Sequence, residues 1–169
     1  MNGFREIDPF DLDESPFRII GSEWMLISAG DGERYNTMTA AWGGFGTLWE
    51  QSVVFCFVRP TRYTYLFMEK SDTFSLCFFE HRYKKVLDIC GTKSGRDTDK
   101  VKAAGITPAW KDETVYFQQA RLVLLCRKIY HQDLQPDRFL DPAIDTHYPK
   151  KDYHRMYVGR VNRVLAAKR

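Results

Sequence analysis

The stretch richest in chemistry is Arg59-Pro60-Thr61-Arg62-Tyr63-Thr64. Two arginines flank a proline turn that leads into a helix-forming run. Arg62, Thr61 and Thr64 would then converge on a helix N-terminus, where free N–H groups, hydroxyls and a guanidinium fork suit a phosphate. The plainer reading is a strand-to-helix turn whose arginines pair with surface carboxylates. A second stretch, Asn36-Thr37-Met38-Thr39-Ala40-Ala41-Trp42, ends in the glycines Gly43, Gly44 and Gly46. Small side chains let a flat ring approach the backbone closely, and amide N–H groups can meet its polar edge. A Gly-rich end to a buried Thr/Ala strand explains the same residues. A third stretch, residues 91–100, carries Ser94, Gly95, Arg96 and Lys100. It reads as a loop between helices that borders a ligand, with Asp97 as a helix cap. It lacks the phosphate-loop pattern GxxxxGK[ST]. His154 stands just before the last strand. It is either a proton donor or substrate contact or a structural histidine.

These residues need elements to position them. Residues 24–30, 35–42, 52–58, 73–79, 115–130 and 155–165 read as strands, and Asp31-Gly32 signals a hairpin between the first two. The 115–130 run supplies either one long bent strand or two short ones. Short helices are expected from Tyr63, capped by Thr61 or Thr64, over residues 81–90 with a stop at Gly91, and from Asp97 to Gly105. Residues 138–152 read as a long surface loop. The fold class is mainly β with a few short helices. The long crossover helices of a doubly wound parallel sheet are absent from the pattern.

The chain has 169 residues, enough for a single domain over 1–169. Hydrophobic residues make up 44% and aromatic residues 15%, which excludes disorder. A net charge of +3 gives no footprint for nucleic acid. The N-terminal residues show no signal peptide and no apolar run is long enough to span a membrane, so a cytoplasmic location is expected. Cys56, Cys77, Cys90 and Cys126 form no CxxC pair and sit at no metal-ligand spacing, so no metal is expected and the thiols read as buried. No nucleophile elbow, HExxH or Rossmann fingerprint is present.

In this order the stretches resemble the flavin reductase-like family, whose fold is the FMN-binding split β-barrel. The shared patterns are Asn36–Trp42, Arg59–Thr64, Ser94–Lys100 and His154–Val161, and the resemblance spans about residues 19–165. It implies that Thr37, Met38, Thr39, Ala40, Ala41 and Trp42 line the flavin ring, largely through backbone groups. Arg59, Pro60, Thr61, Arg62 and Thr64 form the phosphate turn, with Arg59, Arg62 and Thr64 holding the phosphate. Ser94, Gly95, Arg96 and Lys100 close over the flavin or reach it across a subunit boundary. His154 lies where the reductant docks. Ala41 stands where many relatives carry Ser, so one hydroxyl contact is missing. The implied cofactor is FMN, with NAD(P)H as co-substrate, in a homodimer. The expected activity is an NAD(P)H-dependent flavin reductase that passes hydride to flavin N5. The alternatives are a flavoredoxin-like FMN electron carrier and a non-flavin binding module on a related barrel.

Overall fold

The computed structural model describes residues 3–168. In chain order its strands are β1 (Phe4–Ile7), β2 (Met25–Gly30), β3 (Tyr35–Ala40), β4 (Gly43–Leu48), β5 (Gln51–Val58), β6 (Thr73–Phe78), β7 (Pro108–Lys111), β8 (Thr114–Phe117), β9 (Leu122–Asp133) and β10 (Arg155–Ala167). The α-helices are α1 (Tyr63–Lys70), α2 (Lys84–Thr92) and α3 (Lys100–Ala104). An eight-stranded antiparallel sheet runs β3-β2-β6-β9-β10-β5-β4, and β1 continues the β5 side of β10. The two ends of this path, β3 and β4, are joined by Ala41 and Trp42 alone. A sheet whose outermost strands are that close in sequence must curl round on itself. The result is a barrel left open between β3 and β4, the split form expected.

The alternation of side chains explains the unbroken apolar runs. On β6, Phe74, Leu76 and Phe78 fill the barrel, while Cys77 faces outward. On β9, Leu122, Leu124 and Cys126 point in, whereas Val123 and Leu125 point out. The outward set meets a second apolar layer built from Val86, Leu87 and Cys90 of α2, together with Ile106 and Phe117. Both faces of these strands are therefore buried. All four cysteines are buried free thiols, and burial pushes the Cys77 and Cys90 thiols up to about 11.

Several sequence expectations need correction. Of the two readings of the 115–130 run, the two-strand one holds, as β8 and β9, but β9 is long and continues to Asp133. Gly43–Leu48 is a full strand, not the end of the preceding one. Neither Thr61 nor Thr64 caps α1: its N-cap is Arg62, which makes no side-chain cap bond. Gly91 lies inside α2, which runs on to Thr92, and a Cβ there would sit 3.2 Å from the Thr39 side chain. Asp99, not Asp97, caps α3 by accepting from the Lys102 N–H at 3.0 Å.

Candidate functional site

Three elements meet at the open edge of β3. The strand ends the sheet, so its outer backbone edge has no partner strand. Its two threonine hydroxyls are already committed. The Thr37 hydroxyl is buried against Ser28 Oγ at 2.8 Å, and Thr39 Oγ1 donates to the Leu87 carbonyl of α2 at 2.5 Å. What Thr37 and Thr39 leave for a ligand along this segment is backbone. Beside it the first turn of α1 is locked to the strand by Asn36 Nδ2 donating to Thr64 Oγ1 at 2.8 Å. The α2–α3 connection closes the third side. A Cβ on Gly95 would lie 2.1 Å from Asn36 Oδ1, so only glycine permits that approach.

Between these elements lies a cavity of about 190 Å³. Met38, Thr61, Arg62, Thr64, Ser94, Gly95, Arg96 and Lys100 all line it, as does Lys93. No carboxylate does. Lys100 is 5% exposed, and its ammonium donates to the Cys90 carbonyl at 3.2 Å. Burial lowers its pKa, and the nearby Arg62 charge pushes the same way. Arg96 lies over the Tyr63 ring at 4.9 Å. A buried cation beside a second cation, with no acid among the lining residues, is costly unless an anion completes the site. The free N–H groups that open α1 face the same need. The residues fit a phosphate monoester.

Arg59 is not part of this group. Its guanidinium turns to the 134–153 connection, donating to Asp152 Oδ1 at 2.8 Å and to the His147 carbonyl at 2.8 Å. Thr61 Oγ1 reaches the other Asp152 oxygen at 3.2 Å. His154 is buried against the same connection, with Nδ1 2.8 Å from the Tyr148 hydroxyl. Its ring lies 5.1 Å from that of Trp42, which is 44% exposed. Burial first, then the Arg59 and Arg62 charges, depress its pKa to about 4, against the opposing pull of Asp152. The imidazole is therefore neutral at pH 7 and offers hydrogen bonds, not an acidic proton.

The profile of the flavin reductase like domain matches residues 17–169. The chain belongs to the flavin reductase-like family. Solved structures of the same fold include the FMN-binding domain of a flavin reductases-like enzyme from Shewanella baltica. It has a TM-score of 0.69 and 17% identity over 97% of this chain and 77% of that one. Flavoredoxin from Methanosarcina acetivorans gives 0.67 and 18%, covering 86% and 69% of the two chains. The styrene monooxygenase flavin reductase of Pseudomonas putida gives 0.63 and 12%, covering 85% and 79%. No curated protein matches in sequence. Among the described residues, no helix of this flavin reductase-like chain is long and apolar enough to cross a membrane.

Several residues at the site belong to none of the sequence patterns, Lys93 and Tyr148 among them. Lys93 lies in the 91–100 stretch, one place before the Ser94–Lys100 pattern, and lines the cavity. Tyr148 lay in a segment read as surface loop, yet it is 2% exposed and stacks on Phe139 at 6.1 Å. An aromatic residue amid charges and prolines was the available signal.

Proposed function

We propose that this flavin reductase-like chain binds FMN and uses it as an NAD(P)H-dependent flavin reductase. The observation that carries the reading is the cavity at the open β3 edge, lined by Arg62, Lys93, Arg96 and Lys100 without a carboxylate. Arg62, Lys100 and Thr64, with the N–H groups opening α1, would hold the phosphate. Met38 and the backbone from Thr37 to Trp42 would meet the ring. When bound, FMN supplies an N5 that accepts hydride from a nicotinamide. The protein's share is position and exclusion of water. Trp42 and the neutral His154 offer a flat, partly apolar face with one hydrogen-bonding nitrogen, and we assign the nicotinamide to it. We further propose a homodimer in which residues of both copies reach each flavin.

An absorbance spectrum of the purified protein, taken before and after anaerobic NAD(P)H, tests the assignment. A flavin band near stoichiometric with protein, bleached by NAD(P)H, is expected. A bound flavin that NAD(P)H leaves oxidised would make the chain an electron carrier. A chain that takes up no flavin would sink the reading altogether.

A further inference from the structure

The turn between β5 and α1 faces two ways. Arg62 and Thr64 look into the cavity, whereas Arg59 looks back at the connection between β9 and β10. Residues 134–153 of that connection hold only the 3-10 turns Pro136–Arg138 and Pro142–His147 and add no strand to the sheet. A segment of that length needs anchors to keep one shape. Three of its anchors converge on Arg59, and Thr61 Oγ1 adds a fourth on Asp152 at 3.2 Å. One guanidinium nitrogen holds Asp152, another holds the His147 carbonyl, and the guanidinium carbon lies 4.9 Å from the centre of the Tyr148 ring. The ion pair is partly buried, with side chains 22% and 12% exposed, so water screens it less than a surface pair. Tyr148 in turn hydrogen-bonds His154, and the rings of His147 and His154 lie 5.5 Å and 5.1 Å from Trp42.

We propose that Arg59 is a positioning residue and not a phosphate ligand: with Asp152 it clasps the 134–153 connection to the phosphate turn and, through Tyr148, sets the orientation of His154 beside Trp42. The clasp ties the phosphate side of the site to the face given above to the nicotinamide. Its kinetic consequence rests on the flavin reductase reading, but the clasp itself does not.

Hydrogen–deuterium exchange on the full chain without flavin reads the clasp directly. Arg59→Met and Asp152→Asn should each speed exchange across residues 139–153 by about tenfold. Titration with FMN and riboflavin reads the phosphate contact. Arg59→Met should keep the parent ratio of the two affinities within about twofold, whereas Arg62→Ala should lower it. In anaerobic reduction, Arg59→Met and Tyr148→Phe should raise the half-saturating NAD(P)H concentration by about tenfold with a far smaller change in limiting rate. Arg59→Lys, which keeps the charge, should recover part of that loss. Parent exchange rates in both Arg59→Met and Asp152→Asn overturn the clasp. A fall of about tenfold or more in the FMN-to-riboflavin ratio for Arg59→Met makes Arg59 a phosphate ligand and overturns the reassignment. A parent protein that binds no flavin sinks the functional reading, and the exchange rates still decide the clasp.

Discussion

At the residue scale, the cavity's charges separate one arginine from the other. Arg62 faces a site lined by cations, whereas Arg59 already has a carboxylate at 2.8 Å. Removing Arg62 should therefore weaken FMN more than riboflavin. A charge-assisted contact contributes on the order of 1.5–3 kcal/mol, so Arg62→Ala should cost about ten- to a hundredfold in FMN affinity. A fluorescence titration that finds FMN and riboflavin bound equally by the parent would remove the phosphate assignment. His154 makes a different prediction. Its folded pKa of about 4 lies below the ordinary histidine value of 6.5. Between those values the unfolded chain binds the extra proton, so stability rises with pH across the window and falls as pH drops from 6.5 toward 4. The flavin-free protein should lose on the order of 2–3 kcal/mol to this group. Urea melts at pH 7 and pH 4.5 should show a smaller pH difference in His154→Gln than in the parent. An equal difference in the two proteins would show that another group is responsible.

At the element scale, two hairpins turn on residues ill suited to their backbone. Trp49 and Glu50 join β4 to β5 with φ of 52° and 58°, and Asp112 and Glu113 join β7 to β8 with φ of 48° and 60°. Positive φ at both central positions belongs to the tight turns that prefer Asn-Gly. Bulky side chains there cost stability. Glu113 contributes its carbonyl to Thr73 at 3.3 Å, a bond any residue can make. Glu113→Gly should therefore stabilise the chain by about 0.5–1 kcal/mol. The thermal midpoint should rise by about 1–4 °C, which calorimetry can resolve. A lower midpoint would mean that the Glu113 side chain contributes more than its backbone strain costs.

At the scale of the whole molecule, large apolar side chains remain on the surface. Leu140 is 99% exposed, Trp49 is 54% exposed and Tyr130 is 41% exposed, with the last two rings 5.9 Å apart. Exposed aromatic groups of this kind are enriched in the cores of subunit interfaces. The homodimer proposed above should appear by light scattering at micromolar concentration, and Trp49→Glu with Tyr130→Glu should shift it toward monomer. A monomeric parent holding a full complement of flavin would refute the shared-site arrangement.

Features set by short-range chemistry were legible in the sequence. The Asp31-Gly32 turn marked the β2–β3 hairpin, and the strand-length apolar runs marked β5 and β6, because both signals are local. Helix α1 was legible from Tyr63 onward because the proline turn before it leaves a single reading for the run that follows. The convergence of Arg62, Thr64, Ser94, Gly95 and Lys100 was legible as a set, through its likeness to the flavin reductase-like family. Only the tertiary structure separated Arg59 from Arg62. The two sit three positions apart on one turn, and Arg59 turns away because it meets Asp152, 93 positions further along the sequence, whereas Arg62 lines the cavity. Strands β4 and β7 were hidden because their hairpins lack the glycine or asparagine that usually announces such turns. Tyr148 was hidden because burial belongs to the packed molecule: an aromatic ring in a charged loop becomes a core residue only when His154 and Arg59 are brought to it.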